Sequence, residues 1–321
     1  MTIQGNKIDF LAVGDIVVDA FIRLKDAHVH CKIDSDACEL CVRFGDKIPY
    51  ESVDVVSAVG NSPNAAVSAA RLGLRSALVT NIGDDEHGKE CLESLKKDNV
   101  DVSYITTEKD KKTNYHYVLW YDVDRTILVK HTEFNYKFPR IENVSWMYLS
   151  SLADKSLPYH MEIVDYLKNH PETKLAFQPG TWQITLGAEK LPDIFAVTEI
   201  FFSNLDEARR ILKMPEEQDV KILLAGLRAL GPKTVVLTDG PRGAFAYDGT
   251  NTWQMPIYPD PAPPVERTGA GDAFASTFTA MRASGLSIPE ALRRIPPQPR
   301  YAPRRSRVLP LFALQIEVHE A

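Results

Sequence analysis

One stretch near the carboxyl end decides how the chain is interpreted: Pro264-Val-Glu-Arg-Thr-Gly269-Ala-Gly271-Asp272-Ala-Phe274. Two glycines one residue apart let backbone N–H groups crowd towards one point, and a helix that begins there adds the positive end of its dipole. The N–H groups of Gly269, Ala270 and Gly271 therefore form a candidate anion hole, suited to the charge of a phosphoryl group in transfer. Asp272 follows in the first turn, where its carboxylate can accept the proton of an attacking hydroxyl. An acid at a helix start is also a common stabilising arrangement.

Before this stretch, the sequence alternates between apolar strands and amphipathic helices. The segment 10–22 is β-branched and almost continuously apolar, which predicts a strand buried on both faces of a parallel sheet. A small-residue helix is predicted over 65–72, with Ser62 as its N-cap and Pro63 in the first helical position. Strands and helices then alternate through 76–97 and again through 144–238, which predicts a sheet covered by helices.

One segment interrupts the alternation. Residues 114–120 and 125–131 are β-rich runs joined by a polar turn at 122–124, and they predict a hairpin. With a strand-like stretch at 31–44, the hairpin is expected to build a small sheet that projects from the main domain.

The motif over 268–274 closely resembles the C-terminal signature of the ribokinase-like carbohydrate kinases, the phosphofructokinase-B family. Four further motifs are similar to elements of that family and follow its order, within roughly residues 8 to 290: Gly14-Asp-Ile-Val-Val-Asp19, Gly60-Asn-Ser-Pro-Asn64 with its helix, Asn204-Leu-Asp-Glu207, and Thr238-Asp-Gly240-Pro-Arg-Gly243.

The resemblance implies an α/β fold: a doubly wound, mostly parallel sheet flanked by helices, with the active site at the carboxyl ends of its strands. It also implies a small β-sheet lid that closes over the substrate and excludes water. We expect a single kinase domain over residues 1–321, with lid segments at about 15–50 and 108–135, and a homodimer formed through the lid.

The resemblance assigns roles to individual positions. Asp272 matches the general base, and the backbone of Gly269, Ala270 and Gly271 matches the anion hole. The positions expected to bind substrate are Asp15, Asp19, Gly60, Asn61, Asn64 and Arg125. For Asp15, a capping role at a strand end is an equal alternative, and for Arg125 the alternative is a solvated surface charge. The positions expected beside the nucleotide are Asn204, Glu207, Thr238, Gly240, Gly243 and Thr268.

The implied reaction is transfer of the γ-phosphate of ATP to a hydroxyl of a sugar or a sugar-like molecule. Mg²⁺ and a monovalent cation such as K⁺ are the implied cofactors, and Glu207 is expected to act on the metal indirectly, through water or phosphate. Asn204 and Glu207 also suit a helix N-cap with an acidic first turn. Two alternatives stay open: a nucleoside kinase on the same fold, and a sugar- or nucleotide-binding homologue with weak activity.

The sequence departs from the family's pattern at several places, and the second alternative follows from the departure in the tail. Val59 stands where the family usually has the first of two glycines, and Glu266-Arg267 replaces the usual Asp-Thr. From about Arg294 the sequence no longer resembles the family: six arginines, five prolines and no acid lie between 293 and 310. Three prolines at 296–299 cannot continue a helix, so we expect an atypical tail over 294–321 without the usual adenine-lining helices.

Composition limits the classes of partner. A net charge of −6 argues against a nucleic-acid-binding face, and no apolar run approaches the roughly 20 residues of a membrane span. The amino-terminal residues lack the apolar core of a secretory signal, so a cytoplasmic location is expected. Cys31, Cys38 and Cys41 have spacings that suit either a zinc site or three reduced thiols.

Overall fold

The computed structural model describes residues 7–31, 38–122, 124–257, 269–294 and 319–320. Thr268, with the Glu266-Arg267 pair before it, lies outside these ranges, and so does the tail over 295–318.

Within these ranges the strands are, in chain order, β1 (Ile8–Val13), β2 (Val17–Leu24), β3 (His28–Cys31), β4 (Cys38–Cys41), β5 (Tyr50–Val59), β6 (Ser76–Gly83), β7 (Ile105–Glu108), β8 (Asn114–Tyr121), β9 (Asp124–Leu128), β10 (Val144–Leu149), β11 (Lys174–Phe177), β12 (Thr198–Asn204), β13 (Thr234–Thr238), β14 (Ala244–Tyr247), β15 (Thr252–Met255) and β16 (His319–Glu320).

The helices of the described chain are α1 (Asn61–Arg71), α2 (Glu86–Lys97), α3 (Leu157–Asn169), α4 (Thr181–Leu186), α5 (Pro192–Val197), α6 (Leu205–Leu212), α7 (Val220–Ala229), α8 (Ala270–Ala283) and α9 (Ile288–Arg293). Short 3₁₀ turns lie at Ala188–Lys190 and Gly240–Arg242. None of the described helices has the length and apolar character required to cross a membrane.

A large mixed sheet forms the centre of the fold. Its strand order is β16-β15-β14-β13-β12-β11-β10-β1-β6-β7, and the pairings from β13 to β7 are parallel. β14, β15 and β16 extend one edge with antiparallel pairings. The prediction of a mostly parallel sheet flanked by helices is confirmed.

Alternation along the strands builds two cores, one on each face of this sheet. In β1, Leu11 and Val13 pack on the face covered by α3 and by α5 to α7, whereas Phe10 and Ala12 pack on the face covered by α1, α2, α8 and α9. Because both faces are buried, the central strands are apolar along their whole length, as the sequence indicated.

A second sheet, the lid sheet, stands apart from the first. Its strand order is β5-β2-β8-β9, and the predicted hairpin is confirmed as β8 and β9. The prediction that residues 31–44 join this hairpin is wrong, because β3 and β4 pair only with each other among the described strands. The hairpin pairs instead with β2, in parallel, with Asp19 opposite His116.

The single strand predicted over 10–22 is therefore two strands in two sheets. β1 ends at Val13 and β2 begins at Val17. At the break the Asp15 N–H donates to the Ser151 carbonyl oxygen (2.9 Å), and this contact helps turn the chain out of the main sheet. Uniform apolar character on both sides of residue 15 conceals this change of direction.

The start of α1 also differs from the prediction. Gly60 is the N-cap, and the Ser62 hydroxyl donates to the Val13 carbonyl oxygen (2.7 Å) instead of capping the helix. Gly60 has φ 119° and ψ 164°, a backbone conformation that is essentially restricted to glycine. The glycine therefore allows the chain to turn from β5 into α1.

The cysteine hypotheses are also corrected. Cys31 and Cys38 are joined by a disulfide across β3 and β4, while Cys41 is free. Neither the zinc site nor the set of three reduced thiols fits this pairing, because two of the thiols are used. Among the described residues, no cluster of three or more His, Cys, Asp or Glu side chains is arranged to hold a metal ion.

Candidate active site

The candidate site lies where the parallel strands of the main sheet end. Gln178 directly follows β11, Asn204 and Thr238 end the adjacent strands β12 and β13, and Ser151 lies two residues after β10. Because carboxyl ends of parallel strands meet at one edge of a sheet, these residues come together there. They border a cavity of about 250 Å³ that is lined by Asn61, Ser151, Gln178, Pro179, Gly180, Thr181, Phe202, Ser203, Asn204, Glu207, Thr238, Gly271, Asp272, Phe274 and Ala275.

Asp272 projects into this cavity from the first turn of α8. Its Oδ1 atom accepts two hydrogen bonds from side-chain amides, one from Asn61 Nδ2 (2.9 Å) and one from Gln178 Nε2 (3.1 Å). Burial raises the pKa of Asp272, while hydrogen bonding to Gln178 and Asn64 and the positive charge of Arg125 lower it. The site thus contains a partly desolvated carboxylate, and neutral donors hold one of its two oxygens in place.

The glycines of the Gly-Ala-Gly motif lie at the start of the same helix. Gly269 is the N-cap of α8, and Ala270 and Gly271 are its first two residues. Apart from the adjacent residues and the backbone of α8, no atom of the described chain lies within 4 Å of the place that a Cβ on Gly269 or Gly271 would take. As far as the described chain extends, the helix start is open on that side, which suits the approach of an anion.

Asn204 and Glu207 form a reciprocal cap at the start of α6. The Glu207 N–H donates to Asn204 Oδ1 (2.8 Å), and the Asn204 N–H donates to Glu207 Oε2 (2.9 Å). Burial raises the pKa of Glu207, the bond from the Asn204 N–H lowers it, and the negative charge of Asp272 raises it further. Asn204 and Glu207 therefore cap α6 and also line the cavity.

The Asp15 carboxylate is held by several contacts within the protein. The carboxylate accepts hydrogen bonds from the Tyr136 hydroxyl (2.7 Å) and from the Ala153 N–H (2.7 Å), and His131 Nδ1 lies 3.6 Å away. Burial raises the pKa of Asp15, against the effect of these partners. These contacts support the structural alternative for this residue, since both carboxylate oxygens are engaged.

Asp19 lies on β2, on the same face of the lid sheet as the buried Phe21 and Val118, and this face is called the inner face. Its Oδ1 atom is 3.6 Å from Nδ1 of His116 on the neighbouring strand β8, and the His116 ring contacts the His131 ring edge-on at 5.4 Å. Burial and the charge of His131 lower the pKa of His116 to about 4. Near neutral pH, His116 is therefore an uncharged neighbour of the Asp19 carboxylate.

Arg125 lies on β9 opposite Trp120 of β8, so it shares the inner face of the lid sheet. Its charge acts on the Asp272 carboxylate. The arginine is only partly exposed, so its charge is not fully solvated.

The remaining predicted positions are placed as follows. Thr238 lines the cavity, but the cavity lining does not include Gly240 or Gly243. Gly243 has φ 90°, and a Cβ there would lie 2.0 Å from the Met255 carbonyl oxygen, so packing of β14 against β15 requires this glycine. Thr268 belongs to the part of the chain that is not described.

Gln178 and Tyr148, which are linked to Asp272 through hydrogen bonds, were not predicted from the sequence. Gln178 could have been predicted from the sequence, because it is a polar residue directly after a buried strand. Tyr148 carried no such signal: it lies inside β10 and belongs to the core, yet its hydroxyl donates to Gln178 Oε1.

Comparison with known proteins identifies the family of this chain. A family model described as pfkB family carbohydrate kinase matches residues 30–294. Fructoselysine 6-kinase from Escherichia coli (strain K12) is 25% identical over 248 residues, which cover 76% of this chain and 88% of that protein.

Two solved structures have the same fold. The structure of Arabidopsis thaliana ribokinase complexed with ribose and ATP superposes with a TM-score of 0.75, at 20% identity over 90% of each chain. The crystal structure of a putative ribokinase II from E. coli in complex with ATP and Mg²⁺ superposes with a TM-score of 0.68, at 19% identity over 90% of each chain.

Proposed function

This chain belongs to the pfkB family of carbohydrate kinases, and we propose that it phosphorylates a sugar-like hydroxyl with Asp272 as general base and the N–H groups of Gly269, Ala270 and Gly271 as anion hole. The observation that carries this assignment is the half-buried Asp272 carboxylate, which lies in the cavity beside an open helix start. A general base must lie where a reacting hydroxyl can reach it, and an anion hole must be open to the phosphoryl group.

In the proposed step, the substrate hydroxyl oxygen attacks the γ-phosphorus of ATP. The bond between that phosphorus and the oxygen bridging to the β-phosphate breaks, and ADP leaves. The proton of the attacking hydroxyl passes to Asp272. The pKa of this carboxyl, raised by burial, is better matched to receiving a proton than that of a fully solvated aspartate.

Asn204, Glu207 and Thr238 are proposed to lie beside the phosphates. Glu207 and Asp272 are two carboxylates of one cavity, and the charge of Asp272 raises the pKa of Glu207. A donor set with this excess of negative charge fits Mg²⁺ bound through phosphate or water. When bound with ATP, the cation would neutralise charge on the phosphate oxygens.

Asp19, Gly60 and Asn64 are proposed to bind the substrate hydroxyls. Carboxylate and carboxamide groups supply the acceptors and donors that neighbouring hydroxyls require. Arg125 completes this side of the proposed site from the lid sheet.

The lid favours a sugar over a nucleoside. Tyr117 pairs in register with Ala20, on the face of the lid sheet opposite Asp19, and the Tyr115 ring packs against Tyr117 and His87. Trp120 shares the inner face with Asp19, but the Arg23 guanidinium already lies over its ring at 5.0 Å. The described lid therefore offers few aromatic faces on which a base would stack.

We also propose that the chain forms a homodimer through the outer face of the lid sheet. Val55, Ala20, Tyr117 and Leu128 form one row across the four strands of this sheet. Val55, Tyr117 and Leu128 are each about half exposed, with relative accessibilities of 51%, 49% and 50%. A contiguous apolar row of this kind is typical of a protein interface.

The experiment is a coupled assay of ADP formation by the purified chain with Mg·ATP and a panel of sugars, sugar amines and nucleosides. We expect at least one sugar-like acceptor to raise ADP formation far above the rate without acceptor. If ADP formation stays at background with every acceptor while the protein binds Mg·ATP, the alternative of a sugar- or nucleotide-binding homologue with weak activity describes the chain better. Replacing KCl by tetramethylammonium chloride in the same assay tests the monovalent cation that we also propose.

A further inference from the structure

Tyr148 is a fully buried residue whose hydroxyl points towards the site rather than into the apolar core. Its side chain has no exposed surface, and its ring stacks on Phe10 with centroids 5.7 Å apart. The hydroxyl donates a hydrogen bond to Gln178 Oε1. Burying a tyrosine hydroxyl costs free energy unless it has a partner, and here that partner is the side-chain amide of Gln178.

This bond matches the orientation of the Gln178 amide that Asp272 requires. An ionised carboxylate only accepts hydrogen bonds, so the amide must present its NH₂ group to Asp272. Its oxygen then faces Tyr148, which donates to it, while Nε2 donates to Asp272 Oδ1 (3.1 Å). With the amide reversed, its oxygen would face the carboxylate. The Tyr148 hydroxyl therefore favours the productive orientation.

The backbone of Gln178 is fixed as well. Its N–H donates to the Leu149 carbonyl oxygen (2.9 Å), directly after Tyr148, and it follows the buried strand β11. Tyr148 thus lies in β10 and Gln178 directly follows β11, the neighbouring parallel strand of the main sheet. The series of hydrogen bonds from Tyr148 through Gln178 to Asp272 therefore starts from the central strands of the main sheet.

We infer that Gln178, held by Tyr148, is a positioning residue that fixes one oxygen of Asp272 and keeps the carboxylate ionised for proton transfer. This inference rests on the proposed role of Asp272 as general base. A donor on Oδ1 stabilises the charged form and restrains rotation of the carboxylate, so both the ionisation and the orientation of the base depend on it.

Other charged and titratable groups also act on Asp272 from neighbouring elements. Glu207 approaches from α6 and Arg125 from β9, while Tyr148 approaches from β10. Asn61 and Asn64 of α1 are further neutral groups that act on the carboxylate through hydrogen bonding. None of these groups is altered in a variant at position 178, so a change in the ionisation of Asp272 there reports on Gln178.

The test is the pH profile of kcat, measured with saturating Mg·ATP and an accepted sugar, for three variants of the full chain. Gln178→Leu removes the donor. Gln178→Glu keeps the shape and the acceptor for Tyr148 but places a carboxylate against Asp272. Tyr148→Phe removes only the hydroxyl that holds the amide.

We expect the acidic limb of the kcat profile to move to higher pH by about one unit in Gln178→Leu, since a hydrogen bond to a charged group and one pKa unit have similar free energies. Gln178→Glu should move the acidic limb further in the same direction, because it places a carboxylate against Asp272. If Gln178 served only packing, this isosteric change would leave the limb in place. Tyr148→Phe should cause a smaller shift. The KM values for sugar and ATP should change less than kcat.

Asp272→Asn separates this inference from the assignment on which it rests. If Asp272→Asn is inactive and the acidic limb is unmoved in Gln178→Glu and Gln178→Leu, the positioning role is wrong while the base assignment stands. If Asp272→Asn retains full activity, the base assignment itself fails. Should Gln178→Leu not fold, as judged by thermal unfolding, Gln178→Glu and Tyr148→Phe still decide the outcome.

Discussion

Asn61 and Asp272 are 211 residues apart in the sequence, and the Asn61 side-chain amide donates a 2.9 Å hydrogen bond to Asp272 Oδ1. The bond joins the first residue of α1 to the first turn of α8, two helices that pack on the same face of the main sheet. The glycine-asparagine motif near the amino end and the Gly-Ala-Gly-Asp motif near the carboxyl end are therefore parts of one site. A change in either motif is expected to affect the other.

Asp272→Asn is expected to preserve the fold and to remove the base. The two side chains are nearly the same size, and the Asn oxygen can still accept from Asn61 or Gln178. Loss of general-base catalysis should lower kcat by roughly 10²–10⁴-fold. Steady-state kinetics with Mg·ATP and an accepted sugar measure this change. Asp193→Asn, at an exposed aspartate paired with Lys168, is the matched control and should leave kcat unchanged. Near-normal kcat in Asp272→Asn would contradict the assignment.

The main sheet was easier to predict from the sequence than the lid. Strands such as Lys174–Phe177 and Thr234–Thr238 and helices such as Glu86–Lys97 lie within the segments predicted to alternate between strand and helix, because each is a short apolar or amphipathic run between clear breaks. The division of 10–22 between two sheets was missed, since local composition does not encode the turn at Asp15. The pairing of β2 with β8 depends on contacts between segments nearly 100 residues apart.

The site could be predicted only where a motif marked it. Asp272, Asn61, Asn204, Glu207 and Thr238 stand in recognisable motifs, and all of them line the cavity. Gln178 and Tyr148 act through a contact that forms only when β10 and β11 lie side by side. No pattern in the sequence predicts a hydrogen bond between a core tyrosine and a residue thirty positions away.

Asp19→Ala is expected to raise the KM for the sugar far more than the KM for ATP. The substitution removes the carboxylate from the inner face of the lid sheet, where it lies 3.6 Å from His116. Loss of acceptors for bound hydroxyls weakens sugar binding, while the phosphate side of the cavity is unchanged. Both KM values come from initial rates with one substrate varied at a time.

The control for Asp19 is Asp46→Ala, at an exposed aspartate that pairs with Arg43 in the loop before β5. We expect this variant to have normal KM values for both substrates. An equal rise in the KM for sugar and for ATP in Asp19→Ala would place Asp19 outside the sugar site.

Gly60→Ala is expected to destabilise the protein by about 1–3 kcal/mol, because the native backbone conformation is essentially restricted to glycine. In addition, a Cβ at Gly60 would lie 3.0 Å from the Asp15 carbonyl oxygen. Denaturant unfolding measures the difference. Gly73→Ala, at the other end of α1, is the control: it has φ 88°, but no described atom lies within 4 Å of its added Cβ. Equal losses in the two variants would show that the contact with Asp15 has no effect.

Val55→Asp is expected to convert the proposed dimer into a monomer. Val55 lies in the apolar row on the outer face of the lid sheet, and a charge there would be buried without a partner if two copies met through this face. Ile222→Asp is the matched control, because Ile222 is an equally exposed aliphatic residue on α7, with a relative accessibility of 47%. Light scattering coupled to size exclusion gives the mass of each variant at micromolar concentration. A monomeric unsubstituted protein would refute the dimer, and a dimer that survives Val55→Asp but not Ile222→Asp would place the interface on the helical surface instead.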